Sequence, residues 1–277
     1  MRRYAEAGSR VIEFATFSDF LAFAEGPCAL PDVQRASRAC TIPRLGAGFY
    51  HHETWQAMLT KAHTGSPELV TRAMTIKDRL VQTSERNMPQ RLYDRVDSDG
   101  LFFDAGLVAE GQPDCWLTPR DAFDVPQQAI RLVYNCSVSC GATVDTLIER
   151  GAGMMALAEL LQMQGRNVEI WVTRSAVFSG TPHEIRVKVK DIGADGQDDQ
   201  LAFVLVSPDM LRRLCFSVEE IEKLPGARWG EGYGTPCACL LTGEVTMQHR
   251  YGGAVSINAW VTEQLTRLVN ATDEFAT

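Results

Sequence analysis

Asn135-Cys136-Ser137-Val138-Ser139 sets three oxygen-bearing side chains at alternate positions, and a long helical pattern opens at Thr143 just beyond them. Oxygens spaced this way at a helix start have three chemical uses. They can hold a hard divalent cation, although magnesium usually keeps one or two carboxylates among its ligands. They can join the first amides of the helix in seating an anion. Ser139 and Thr143 can also simply cap the helix by accepting from its orphan amides. Asn135, Ser137, Ser139 and Thr143 are therefore the candidate partner- or anion-binding loop. Because Asn135 is neutral, a divalent cation here would be held weakly, and no other cofactor is indicated.

The remaining reactive residues form no catalytic pattern. No serine stands in G-x-S-x-G, no histidine pair has metalloprotease spacing and no phosphate loop is present. The eight cysteines include Cys136 and Cys140 four apart and Cys237 and Cys239 two apart, neither at Cys-x-x-Cys zinc spacing. Small buried thiols are the simpler expectation. Two groups suit nucleic acid. Arg186, Lys188 and Lys190 alternate along Glu184–Lys190 and would share one strand face, either as a solvated edge or as a groove that tracks a phosphate backbone. Arg228, Trp229 and Tyr233 lie in a glycine-rich loop, where they would stack on bases or pack as a turn.

The elements that position these residues follow from periodicity. Residues up to 93 read as a mainly helical N-terminal region. A short helix follows Ser18 as its cap. A second carries Trp55, Met58, Leu59 and Ala62 at i, i+3, i+4 and i+7, and a third starts at Pro67 and runs through Leu80. From residue 94 to the end the pattern is α/β. Ala129–Tyr134 reads as a strand, 143–164 as a long apolar helix and Val168–Val172 as the next strand. That order implies a right-handed crossover between parallel strands. Glu184–Lys190 alternates strictly, as a half-exposed strand does. Leu201–Val206 is unbroken apolar and reads as a central strand covered on both faces. A helix follows Ser207-Pro208, then an acidic helix, and a last helix starts near Ile257.

Asn135-Cys136-Ser137-Val138-Ser139, followed by a helix rich in small residues and the strand at 168–172, resembles the D-x-S-x-S loop of von Willebrand factor A domains. That resemblance implies a mostly parallel sheet flanked by helices, with Asn135, Ser137 and Ser139 at the positions that hold a divalent cation in the family. Asn135 departs from it by lacking the carboxylate, so the implied site is degenerate. Asp209 is the carboxylate the resemblance nominates as a further ligand. A wider stretch, residues 50–240, is similar to uncharacterised bacteriophage and bacterial proteins through Asp104–Trp116, Arg150-Gly151-Ala152 and the segment from Ala202-Phe203 to Arg212-Arg213. It implies a phage or mobile-element origin.

Composition bounds the function. The net charge of −8 argues against a surface that coats nucleic acid throughout, and the 45% hydrophobic content allows a sizeable core. No apolar run spans a bilayer and no apolar segment follows the basic start, which points to the cytoplasm. The expectation is a non-catalytic interaction protein with a helical region at 1–93 and a von Willebrand A-like α/β domain with a C-terminal extension at 94–277. It would bind a protein partner through the loop end of its sheet. The alternative is a single-stranded nucleic-acid-binding or transcription-associated phage protein.

Overall fold

The computed structural model describes residues 1–39, 54–85, 93–96, 102–103, 108–109, 111, 116–119, 129–163, 166–192, 198–227, 232–248 and 256–273. The chain starts with a hairpin rather than a helix. Strands β1 (Arg2–Glu6) and β2 (Ser9–Phe14) pair antiparallel around Ala7-Gly8, both at positive φ, the two-residue turn whose twist suits paired strands. Helix α1 (Phe17–Ala24) follows, capped by Thr16, whose Oγ1 accepts from the Asp19 amide at 3.0 Å. Ser18, the expected cap, lies inside it. Helices α2 (Trp55–Thr64) and α3 (Pro67–Glu85) stand where the apolar spacing places them. Strands β3 (Tyr93–Val96), β4 (Phe102–Phe103) and β5 (Trp116–Pro119) make a small antiparallel sheet of their own.

The central sheet is built by β6 (Ile130–Asn135), β7 (Val168–Phe178), β8 (Thr181–Lys190) and the short β9 (Thr235–Pro236) and β10 (Val245–Met247), joined by the N-terminal hairpin. Its main path runs β1-β2-β8-β7-β6-β10. Along that path β2/β8, β7/β6 and β6/β10 are parallel, while β1/β2 and β8/β7 are antiparallel, so the path is mostly parallel. The parallel β6/β7 pair is spanned by helix α4 (Val144–Met163), as the strand–helix–strand order requires. The N-terminal stretch is therefore not helical alone. It supplies two strands to the main sheet, and Phe14 and Phe20 share one core with Leu132 and Ile170.

Leu201–Val206 is a correction. It lies in helix α5 (Asp198–Val206), not in a strand. A six-residue apolar run fits any element buried all round, and α5 is enclosed by α2, α3 and α4. The Gln200 side chain donates to the Ala62 carbonyl at 3.1 Å, tying α5 to α2. After Ser207-Pro208 come a π-helix (Met210–Cys215), helix α6 (Phe216–Ile221) and finally helix α7 (Ile257–Asp273). No described helix is long and apolar enough to cross a membrane.

The result is an α/β protein whose mostly parallel sheet is flanked by helices. The helices bury Phe14, Leu132, Ile170, Val187 and Met247 on one face of the sheet. The alternate residues of the same strands form the other face. There Val133 and Trp171 make a small cluster with Cys239, surrounded by charged side chains.

Candidate functional site

The loop after β6 is locked at its base and free at its tip. Asn135 is fully buried. Its Oδ1 accepts from the Ser137 amide at 3.1 Å, and its Nδ2 donates to the Cys237 carbonyl at 3.0 Å and to Gln248 Oε1 at 3.4 Å. The Asn135 carbonyl accepts from buried Arg150 at 2.9 Å, and the same guanidinium nitrogen reaches the Gln248 carbonyl at 3.1 Å. The Cys136 amide continues the ladder to the Thr173 carbonyl at 2.9 Å. Ser137 then replaces a backbone rung with its side chain. Its Oγ donates to the Ser175 carbonyl at 2.9 Å and accepts from the Ser175 amide at 2.8 Å. Beyond this point the chain leaves the sheet: Ser139, Cys140, Gly141 and Thr143 are exposed. Thr143 caps α4, its Oγ1 accepting from the Thr146 amide at 3.2 Å.

This base does not fit a divalent cation. The side-chain oxygens of Asn135 and Ser137 are spent on backbone amides, and Asn135 carries no charge. Asp209 is buried with its Oδ1 3.5 Å from Arg213 Nε, so its carboxylate faces a cation of the protein. Among the described residues no three His, Cys, Asp or Glu side chains gather as a metal site.

Behind the loop lies a buried polar cluster. Arg174, on the helix-covered face of β7, donates to Glu219 Oε1 at 3.0 Å and to the Tyr233 carbonyl. Glu219 is pushed up to about 7 by burial, which outweighs the pull of Arg174. Its neighbour Glu220 accepts from Arg35 Nε at 2.8 Å, from Ser37 Oγ at 2.5 Å and from the Tyr233 hydroxyl at 2.5 Å. Burial, with Glu220 second, also raises the Tyr233 hydroxyl far above its usual range. The sequence signal for this cluster is Arg174 in a strand that runs on into apolar Ala176-Val177-Phe178. A charge at such a place must be paired within the fold.

The stripe on β8 is not the exposed one that alternation suggests. Arg186 is 4% exposed, because the N-terminal hairpin lies beside β8 and covers it. It bonds Glu184 Oε1 at 2.6 Å, Glu6 at 2.7 Å and the Tyr4 hydroxyl at 2.9 Å. Lys188 is half-buried and pairs with Asp191 at 3.3 Å and Glu169 at 3.7 Å; Lys190 reaches Gln162 Oε1 at 3.5 Å. Tyr233 is buried and stacked on Phe216, centroids 3.9 Å apart, so it belongs to a packed turn. Arg228 and Trp229 lie outside the described residues.

Lys188 and Arg131 both stand over the Trp171 ring, at 5.5 and 5.9 Å from its centroid. Trp171 and Lys188 line a shallow cleft of about 260 Å³ with Met1, Arg2, Glu13 and Ala15. Lys188 of this cleft is paired as above, Glu13 accepts from the Tyr4 hydroxyl at 2.7 Å, and Arg131, over the same ring, is paired with Glu169. On this face Glu184, the residue that sequence reasoning missed, accepts from the Leu240 and Leu241 amides at 2.5 and 3.0 Å and from Ser175 Oγ at 3.1 Å. It thereby seats the segment after β9 against the sheet.

No curated protein and no solved structure matches this chain. A family model described as "Domain of unknown function (DUF7192)" matches residues 7–267, nearly the whole sequence, and the chain belongs to that family.

Proposed function

We propose that this protein is a non-catalytic binding protein that recognises a protein partner through the 139–143 tip at the carboxyl end of β6. One observation carries the reading: the loop base is held by Asn135, Ser137 and Arg150, while Ser139, Cys140, Gly141 and Thr143 stand exposed above it. A rigid base under a solvent-facing tip is how scaffolds present recognition loops. The carboxyl end of the strands is where open α/β sheets receive ligands. The von Willebrand A-like reading rests on the same unit. β6, the loop, α4 and β7 follow in the expected order with parallel strands, and the ion site of that family is here replaced by internal hydrogen bonds.

A photo-crosslinker attached to the exposed Cys140 thiol tests the proposal in extract of the native host. One protein adduct is expected, competed away by unlabelled protein and lost from a Ser139→Arg/Gly141→Arg variant of unchanged melting temperature, both positions being exposed and clear of the Thr143 cap. Adducts that are diffuse, or unaffected by the two substitutions, overturn it.

A second reading, single-stranded nucleic acid on the polar sheet face, has Trp171 flanked by Arg131 and Lys188 in its favour, since cations beside an aromatic ring suit a stacked base. The pairing of those cations with Glu169 and Asp191 weighs against it.

A further inference from the structure

Strand β1 ends the main path of the central sheet, and among the described residues no further strand pairs with its outer edge. All five of its residues, Arg2–Glu6, are exposed. The tight Ala7-Gly8 turn makes Glu6/Ser9 a hydrogen-bonded pair, and alternation makes Tyr4/Val11 and Arg2/Glu13 hydrogen-bonded pairs too. Arg3 and Ala5 lie between them, so their amides and carbonyls point away from β2, to the open edge. Arg3 lies against the helices, its guanidinium over the Phe23 ring and bonded to Glu222 at 2.6 Å. Arg2, Tyr4 and Glu6 share the opposite, polar face. There buried Arg186 holds Glu6 at 2.7 Å and the Tyr4 hydroxyl at 2.9 Å. Arg2, among the described residues, enters no salt bridge.

An open edge of this kind accepts an antiparallel strand. Arg2–Glu6 is complementary to itself about Tyr4. Set against a second copy, Arg2 stands opposite the partner's Glu6, Glu6 opposite the partner's Arg2 and Tyr4 opposite the partner's Tyr4. The same alignment places Arg3 opposite the partner's Ala5, and these are the residues whose backbone groups face the edge. Each such pair exchanges both of its backbone hydrogen bonds. Sliding the partner by one pleat is worse either way. It opposes Arg3 with its own copy, or it carries Arg2 past the strand to face Gly8 of the turn. Charges on an edge commonly bar pairing, but here their signs match on self-pairing. We propose that β1 is the interface of a symmetric homodimer, in which two copies pair antiparallel about Tyr4 and the central sheet continues through the two-fold axis. Glu6, already oriented by Arg186, receives the partner's Arg2, and the Tyr4 rings form a cross-strand aromatic pair. Two short strands bury little area, so the dimer is weak and forms with rising concentration. The contact uses none of the 139–143 tip and is independent of that reading.

Sedimentation equilibrium of the full chain, diluted from high micromolar to nanomolar, should show a species of twice the chain mass giving way to monomer. Hydrogen exchange read amide by amide should slow at Arg3 and Ala5 in the concentrated sample. Tyr4 and Glu6 should change little, because their amides are bonded to β2 in both states. Arg2→Glu turns both charge pairs from attraction to repulsion and should weaken association roughly tenfold, whereas Arg2→Lys should stay near wild type. Ala5→Pro removes an outward amide, leaves the β1/β2 ladder its donors and should abolish the dimer. The wild-type dilution series needs no variant to fold. A single species of chain mass at every concentration overturns the proposal. So does a dimer whose Arg3 and Ala5 amides exchange as in the monomer, or one indifferent to Arg2→Glu, since the contact would then lie elsewhere or in another register.

Discussion

Glu219 sits fully buried against Arg174 with its second carboxylate oxygen unpartnered, and that combination has a measurable pH signature. Its folded value of about 7 is above the 4.5 of an ordinary glutamate. The folded state therefore binds more protons than the unfolded one between those values, and stability falls as pH rises through that window. The contribution is fully present below about 4.5 and lost above about 7. Glu219→Gln keeps the Oε1 acceptor for Arg174 and removes the titration. Urea midpoints of the two proteins should nearly coincide at pH 5, and at pH 8 the variant should be ahead by on the order of 1–3 kcal/mol. A constant gap across that range would show that Arg174 holds Glu219 ionised. Asn135 gives the complementary case. Asn135→Asp supplies a carboxylate at the loop base but removes the amide that donates to Cys237 and Gln248. The loss should be about 1–3 kcal/mol, the cost of leaving buried acceptors unpaired. Isothermal titration with magnesium or manganese should show nothing tighter than about millimolar in either protein, because the oxygens of Asn135 and Ser137 already serve amides. Tight binding by the wild type would mean that the loop rearranges around the ion.

Helix α4 is the element on which the others are built, and two of its glycines say how. A Cβ on Gly151 would stand 2.5 Å from the Leu205 carbonyl oxygen, which is backbone of α5 and cannot step aside. A Cβ on Gly153 would stand 2.4 Å from Ile257 Cγ1 of α7, a side-chain obstacle but one that is β-branched and stiff at χ1. Alanine is worth about 1 kcal/mol over glycine inside a helix, and overpacking costs about 1–3 kcal/mol. Both substitutions should therefore lower stability in a denaturation series, Gly151→Ala by more than Gly153→Ala, because backbone yields less than a side chain. The reverse order would mean that α5 yields more readily than α7. Element type was legible wherever a period ran long enough: α2, α3, α4 and the parallel β6/β7 pair follow from spacing alone. Leu201–Val206 was not, because a short apolar run carries no period and only the neighbouring helices decide its form. Nor could alternation in β8 reveal that Arg186 is covered, since the cover comes from Tyr4 and Glu6 more than 170 residues away in sequence. The loop was legible as a place of interest at Asn135, Ser137 and Thr143. The acceptors that consume it, at Ser175, Cys237 and Gln248, come from separate segments and leave no trace in the motif.

At the scale of the whole molecule, charge decides between the two partner classes. The net charge of −8 repels a phosphate backbone at long range, so binding would need a local stripe of free cations. The described β8 stripe does not supply one: Arg186 is paired with Glu184 and Glu6, and Lys188 with Asp191 and Glu169. Two partly exposed lysines, Lys188 and Lys190, remain to meet phosphates. If they did, affinity would fall with salt with a log–log slope of roughly −1.4, about 0.7 counterions per phosphate for a single strand. Tryptophan fluorescence reads the same event, since Trp171 lies between Arg131 and Lys188 and would respond to a base stacked against it. The expected outcome, at low salt with micromolar protein and single-stranded DNA, is no fluorescence change and no mobility shift. A change with that shallow slope, abolished by Lys188→Gln, would instead move the binding face from the 139–143 tip to the polar side of the sheet.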